Sequence, residues 1–193
     1  MKTTNNIVPL SILKISFLAM LLIFGACKDK SETAQQSSSK SKTPSVDIHT
    51  AVVSGNVDAL KQHIVAGTNI NEKDPYGGSS PLISASLFGK TEIAKILIEA
   101  GADINIQNND GSTALHVAAF FCRPEIVKML LDKKADKLIR NNYKSTAYES
   151  VVGSFSDVKS TYEMMEKMLG PMGLKLDFAY VEKTRPVIAA MVK

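Results

Sequence analysis

Ser80-Pro81-Leu82-Ile83, Thr113-Ala114-Leu115-His116 and Thr146-Ala147-Tyr148-Glu149 follow one another at intervals of 33 residues. A second block keeps the same step. Ala100-Gly101-Ala102-Asp103 returns as Lys133-Lys134-Ala135-Asp136, and a related turn, Ala66-Gly67-Thr68-Asn69, stands 34 residues earlier. The extra residue falls between Asn71 and Gly78. A fixed period of this size means one small unit stacked on copies of itself, because a single unit cannot bury its apolar face.

Within one unit, Ser112 and Thr113 offer hydroxyls to the first free helix amides, and Ala114-Leu115-His116-Val117-Ala118-Ala119 continues at helical spacing. This predicts a short inner helix. After a break at Cys122 to Pro124, the run Glu125 to Asp132 puts Ile126, Val127, Leu130 and Leu131 on one side, as an outer helix would. Between units, Ala102 to Gly111 reverses the chain, with Asp110-Gly111 suited to a tight turn.

The blocks Gly111 to Ala119, Glu125-Ile126-Val127 and Gly101 to Asn105 resemble the ankyrin repeat, at that family's spacing. The resemblance covers about residues 45–152: a first repeat opened by Ile48-His49-Thr50-Ala51, two well-formed repeats, and a degenerate fourth beginning near Tyr143. It implies an all-α ankyrin repeat solenoid with short hairpin loops. Three departures stand out. Cys122 replaces the glycine between the two helices, Lys134 replaces the glycine of Gly-Ala-Asp, and Lys144 replaces the turn glycine of the fourth repeat. A non-glycine residue in a left-handed conformation costs roughly 1 kcal/mol or more. Either these turns are strained or they take another shape.

Residues 1–26 read as a secretion signal: Lys2 and Lys14 precede an apolar run of about 12 residues, Ile15 to Ala26, too short to span a bilayer. Its end, Ile23-Phe24-Gly25-Ala26-Cys27, resembles the lipobox of bacterial lipoproteins, with Phe24 where leucine is usual. That resemblance implies a lipidated Cys27. An ordinary cleaved signal with an incidental cysteine is the alternative. Lys28 to Pro44 is rich in Ser, Lys and Gln without apolar periodicity, so residues 27–44 are expected to be a disordered tether behind the lipidated cysteine. Such a tether spans about 20 to 25 Å as a coil and about 60 Å pulled straight.

The chain's net charge of +4 does not signal nucleic acid, because residues 45–193 hold 17 of the 23 lysines and arginines and 17 of the 19 acids. With Cys27 lipidated, Cys122 is left alone, and no histidine and acid are placed to activate it. It reads as a small buried hydrophobe. His116 occupies the position whose ring, in the ankyrin family, ties neighbouring repeats together; His49 holds the same place in the first repeat, and His63 lies alone on an outer helix. No metal site, cofactor or catalytic group is expected.

Beyond the repeats, residues 153–193 are expected to form a helical cap. Val158, Tyr162, Met165 and Leu169 recur at helical spacing in Ser156 to Leu169, with Gly170 as C-cap and Pro171 as breaker. This helix is expected to replace the outer helix of the fourth repeat. Asp177 to Lys183 and Arg185 to Val192 suggest two further short helices, with Thr184 as the cap between them. Met164, Met165, Met168 and Met172 allow another reading, an adaptable partner surface.

The ankyrin resemblance implies a binding module rather than an enzyme: a monomer presenting a concave surface to another protein, held by its lipid at the cell envelope. The periplasmic face of the outer membrane is the expected location. An envelope enzyme or enzyme subunit with a site on the repeat surface is the alternative. In the ankyrin pattern, the two residues after the paired small residues of the inner helix lie on the concave side; here they are Val53-Ser54, Leu87-Phe88 and Phe120-Phe121. Leu87, Phe88, Phe120 and Phe121 are therefore expected to form one apolar patch, flanked by Tyr76, Asn109 and Tyr143 of the hairpins. Ordinary packing against the neighbouring helix and the cap is the alternative, above all for Phe120.

Overall fold

Three helix pairs repeat along the chain: α1 (Ile48–Ser54) with α2 (Val57–Val65), α3 (Pro81–Leu87) with α4 (Thr91–Glu99), and α5 (Ala114–Phe120) with α6 (Pro124–Asp132). They belong to a computed structural model that describes residues 44–193. The signal segment, Cys27 and the tether up to Thr43 lie outside the described residues. Among the described residues there is no strand.

Each inner helix starts on a side-chain cap. Asp47 accepts from the Thr50 amide, Ser80 from Ile83 and Thr113 from His116. Each ends where one residue turns left-handed, with φ of 75° at Gly55, 64° at Gly89 and 53° at Cys122. That residue redirects the chain into the nine-residue outer helix. Inner helices stack α1 on α3 on α5, and outer helices α2 on α4 on α6. Leu60, Leu82, Ile93, Leu97, Leu115, Ile126 and Leu130 are fully buried between them. Truncating any such leucine to alanine typically costs about 2 to 5 kcal/mol.

The left-handed turns sit where glycine was expected. Cys122, Lys134 (φ 64°) and Lys144 (φ 61°) keep the conformation despite their side chains, so the turns are strained rather than reshaped. Cys122 has a compensation: its thiol is buried and donates to the Val181 carbonyl at 3.6 Å.

The fourth repeat stops after one turn. Thr146 to Val152 makes hydrogen bonds from Ser150 N to Thr146 O and from Val151 N to Tyr148 O, without forming a helix. The chain then enters α7 (Phe155–Leu169), a 3-10 turn (Gly170–Met172) and α8 (Phe178–Val192). Their placement corrects two expectations. First, α8 rather than α7 takes the outer-helix place, packing on α6 as α6 packs on α4. Second, α8 is one helix. Thr184 is buried inside it, and Pro186 sits exposed in its interior. A proline there removes one backbone hydrogen bond at a typical cost of about 3 kcal/mol, which the burial of Val181, Ile188, Ala189 and Val192 on both sides of it offsets. Gly170 is the C-cap of α7 as expected, in a right-handed conformation, and the left-handed glycine of this segment is Gly173, with φ 98°.

Candidate functional site

The hairpins that join the repeats are built on one anchor each, at Asp74, Asn108 and Asn141. The Asp74 carboxylate accepts from the amides of Tyr76, Gly77 and Ser79, the Asn108 side chain from Asp110 and Ser112, and the Asn141 side chain from Tyr143 and Ser145. These are side-chain turns in which a short polar group replaces a backbone acceptor. Burial opposes ionisation of Asp74, but the three amides outweigh it and hold its carboxyl below the usual range. Successive hairpins are tied together by Asn109 N to Gly77 O and Asn142 N to Asp110 O, both 2.9 Å. The turn at Asp74 has one residue more than the other two before its serine, which is where the 34-residue step arises.

The inner helices, the hairpins and α7 enclose a groove of about 450 Å³ on the concave side. Ile83, Leu87, Val117 and Phe120 form its floor, Ser79, Asn108, Asp110, Asn141, Tyr143 and Ser145 its hairpin side, and Thr161, Met165 and Leu169 its far wall. The wall is fixed by Tyr162. That side chain is completely buried, stacks on Phe120 at 4.5 Å between centroids, donates to the Phe120 carbonyl at 2.5 Å and accepts from Arg185 at 2.8 Å. Burial raises the phenol to about 12, so it stays protonated and able to donate.

His116 lies at the back of the groove. Its Nδ1 accepts from the Thr113 amide at 3.3 Å, completing a reciprocal cap, and its Nε2 donates to the Ser145 carbonyl of the next hairpin at 3.0 Å. Burial holds the ring below the usual histidine range. This is the inter-repeat tie expected of it. His63 makes a bond within the first repeat, from Nε2 to the Val46 carbonyl at 2.8 Å, whereas both ring nitrogens of His49, which holds the place of His116, are buried without a partner, so the tie expected there is not made.

The structure separates the residues expected to form one patch. Leu87 and Phe120 reach the groove floor, and Tyr143 reaches its edge. Phe88 is half-buried against the core and does not line the groove. Phe121 also lines the groove, but it is only 4 % exposed and set edge-on to Phe120 and Tyr162 at 5.2 and 6.2 Å, so most of its ring packs as core and little of it is open to a partner. The reason is α7, which brings Tyr162 over a position that would face solvent in an uncapped stack. Tyr76 stands 92 % exposed on its hairpin, outside the groove proper. Asn109 is a strut: its amide group reaches the Tyr76 carbonyl at 3.4 Å, and it fills the space beside Gly78.

One group on the groove had not been singled out, Asp110; the α7 wall includes Met165, one of the four methionines read as an alternative partner surface, while Met164, Met168 and Met172 do not line it. Asp110 reads in sequence as a turn-former, although it stands two residues past its anchor, as Tyr76 and Tyr143 do past theirs. Cys122 is fully buried and its thiol is pushed up to about 11, so it is no nucleophile at neutral pH. Among the described residues no three His, Cys, Asp or Glu side chains gather as a metal site would require.

Residues 48–141 match the family model for ankyrin repeats in 3 copies. The chain is 42% identical over 62 residues to the DNA-binding protein RFXANK of Homo sapiens, which covers 32% of this chain and 24% of that protein. It is 39% identical over 64 residues to protein phosphatase 1 regulatory subunit 27 of Homo sapiens, covering 33% of this chain and 41% of the relative. The chain thus spans less than half the length of these curated relatives. Among solved structures, the ankyrin repeat domain of Bcl-3 aligns with a TM-score of 0.52 at 28% identity, over 53% of this chain and 45% of that one. Residues 48–141 are ankyrin repeats, and the fold is an all-α ankyrin repeat solenoid closed by a C-terminal helical cap.

Proposed function

We propose that this chain is a lipid-anchored binding protein of the bacterial cell envelope, docking another protein in its concave groove and so regulating or scaffolding an envelope enzyme. The observation that carries the binding reading is the groove itself: an apolar floor with a hydrogen-bonding rim, half-enclosed by α7. Relatives named as regulatory subunits of protein phosphatase 1 add support for regulation. The anchor rests on sequence alone, on the apolar run that ends in Gly25-Ala26-Cys27. A lipid there would hold the repeats on the periplasmic face of the outer membrane, within the reach of the tether. The chain acts by binding rather than catalysis, as a monomer and without a nucleic-acid partner. Its thiol is buried and its groove histidine is taken up by structural bonds.

A photoreactive phenylalanine at Tyr143, on the groove, and another at Lys95, exposed on outer helix α4, test the docking surface in intact cells. The expected result is one protein crosslinked from Tyr143 and none from Lys95. Equal labelling from both positions rejects the groove. In the same cells, Cys27→Ser should release the protein from membranes and abolish fatty-acid labelling; a membrane-bound variant rejects the anchor.

A further inference from the structure

The groove has an unbalanced charge. Asp110 is the one acid among the residues that line it, and neither lysine nor arginine is among them. The main chain of Asp110 is fixed, its amide donating to Asn108 Oδ1 at 3.1 Å and its carbonyl accepting from Asn142 N at 2.9 Å. Its carboxylate, among the described residues, enters no ion pair or side-chain hydrogen bond. Arg140, on the same hairpin side, is taken up by Glu149 at 2.6 Å and by the Lys144 carbonyl. Lys144, beside Tyr143, does not line the groove.

One aromatic ring of a neighbouring hairpin shares the groove with this carboxylate, that of Tyr143, which is 74 % exposed. On the other side the equivalent position is Gly77, as the matching bonds Asn109 N to Gly77 O and Asn142 N to Asp110 O show, and it leaves the approach to Asp110 open. A carboxylate with a phenol ring on the neighbouring tip attracts a cation twice, through its charge and through the ring face. The groove behind it is of small-ligand size, at about 450 Å³. It holds a few side chains and not a whole helix, whose diameter is about 10 to 12 Å.

We propose that the groove takes a short segment of a partner protein in which a few bulky apolar side chains lie on Leu87, Val117, Phe120 and Met165 while an adjacent lysine or arginine docks on Asp110 beside the ring of Tyr143. This rests on the groove being a protein-binding surface. The apolar part supplies the contact area and the cation sets which segments are accepted, since an acidic segment would meet an unpaired carboxylate.

Selection of random displayed peptides on the full chain tests the proposal. Recovered peptides should combine large apolar residues with lysine or arginine. Asp110→Asn should weaken them about fivefold and remove most of their salt dependence, and Tyr143→Ala should weaken them by a smaller factor. Leu87→Arg should abolish binding, with all three variants retaining the helical circular dichroism of the parent. Peptides that lack basic residues, or that bind the Asp110→Asn variant as well as the parent, overturn the cation inference and leave the groove reading standing. Peptides indifferent to Leu87→Arg, or no peptides at all, overturn the groove reading as well.

Discussion

Gly111 and Lys144 occupy the same place in successive hairpins, with φ of 71° and 61°, yet one position excludes a side chain and the other carries a long one. A Cβ on Gly111 would stand 2.8 Å from Asn142 Oδ1 and 2.9 Å from Asn142 N; on Gly78 it would overlap Asn109 Oδ1. The next hairpin leans on each of these glycines. After Lys144 the chain proceeds to α7 instead of a further repeat. The comparison separates two demands for glycine, a left-handed φ and a close neighbour. Gly67 and Gly101 confirm the separation, because nothing lies within 4 Å of a Cβ at either, and their counterpart in the next repeat is Lys134.

The largest expected effect follows from the first demand added to the second. Gly111→Ala should lose roughly 3 kcal/mol, of which about 1 kcal/mol is conformational and the rest comes from displacing Asn142. Gly101→Ala should lose only the conformational part. Urea unfolding of the two variants beside the parent makes the measurement, and equal midpoint shifts would sink the close-approach account.

A second pair sharpens the comparison between the central and terminal repeats. Thr113 with His116 and Thr146 with Glu149 form the same reciprocal cap. Thr146 N donates to the Glu149 carboxylate at 2.8 Å, and Glu149 N donates to Thr146 Oγ1 at 3.3 Å. The terminal pair substitutes a carboxylate for an imidazole, and Arg140 holds it from outside. Their acid responses fall in different windows. His116 is held below its ordinary 6.5 by burial, so the unfolded chain binds this proton more readily; its stability contribution is full above that value and is lost as pH falls through it. Glu149 is held below its ordinary 4.5 by the Thr146 amide and Arg140, so its contribution is lost only in stronger acid. The urea midpoint should therefore fall between about pH 7.5 and about pH 5.5, and His116→Gln should flatten that slope. An unchanged slope in the variant refutes the assignment.

What could be read from the sequence is what repeats. The caps at Ser80 and Thr113, the buried Leu115 and Leu130, the tie from His116 and the turn positions 122, 134 and 144, whose strain only the backbone decides, all occupy fixed places in a period, so one unit informs the next. The C-terminal segment has no such copy. Tyr162 finds Phe120 across 42 residues, and nothing local marks that contact. Thr184-Arg185-Pro186 carries the local signs of a helix boundary, and they are overridden because Thr184 and Arg185 are both buried within α8. The same missing contact made Phe121 look like surface, and the use of Asp110 in a turn concealed its unpaired carboxylate.

The smallest expected effect isolates the φ demand alone. Lys144→Gly and Lys134→Gly should each stabilise the chain by about 1 kcal/mol, because each removes a left-handed lysine whose side chain makes no ion pair among the described residues. The gain is limited by the extra freedom that glycine gives the unfolded chain. Cys122→Gly should behave differently. It relieves the same conformation, but it also deletes a fully buried side chain whose thiol reaches the Val181 carbonyl of α8, and the lost packing offsets the relief. In urea unfolding, the two lysine variants should shift the midpoint upward and the cysteine variant should not. An equal upward shift in all three would mean that Cys122 contributes no packing between α5 and α8, and that glycine is absent there for no structural reason.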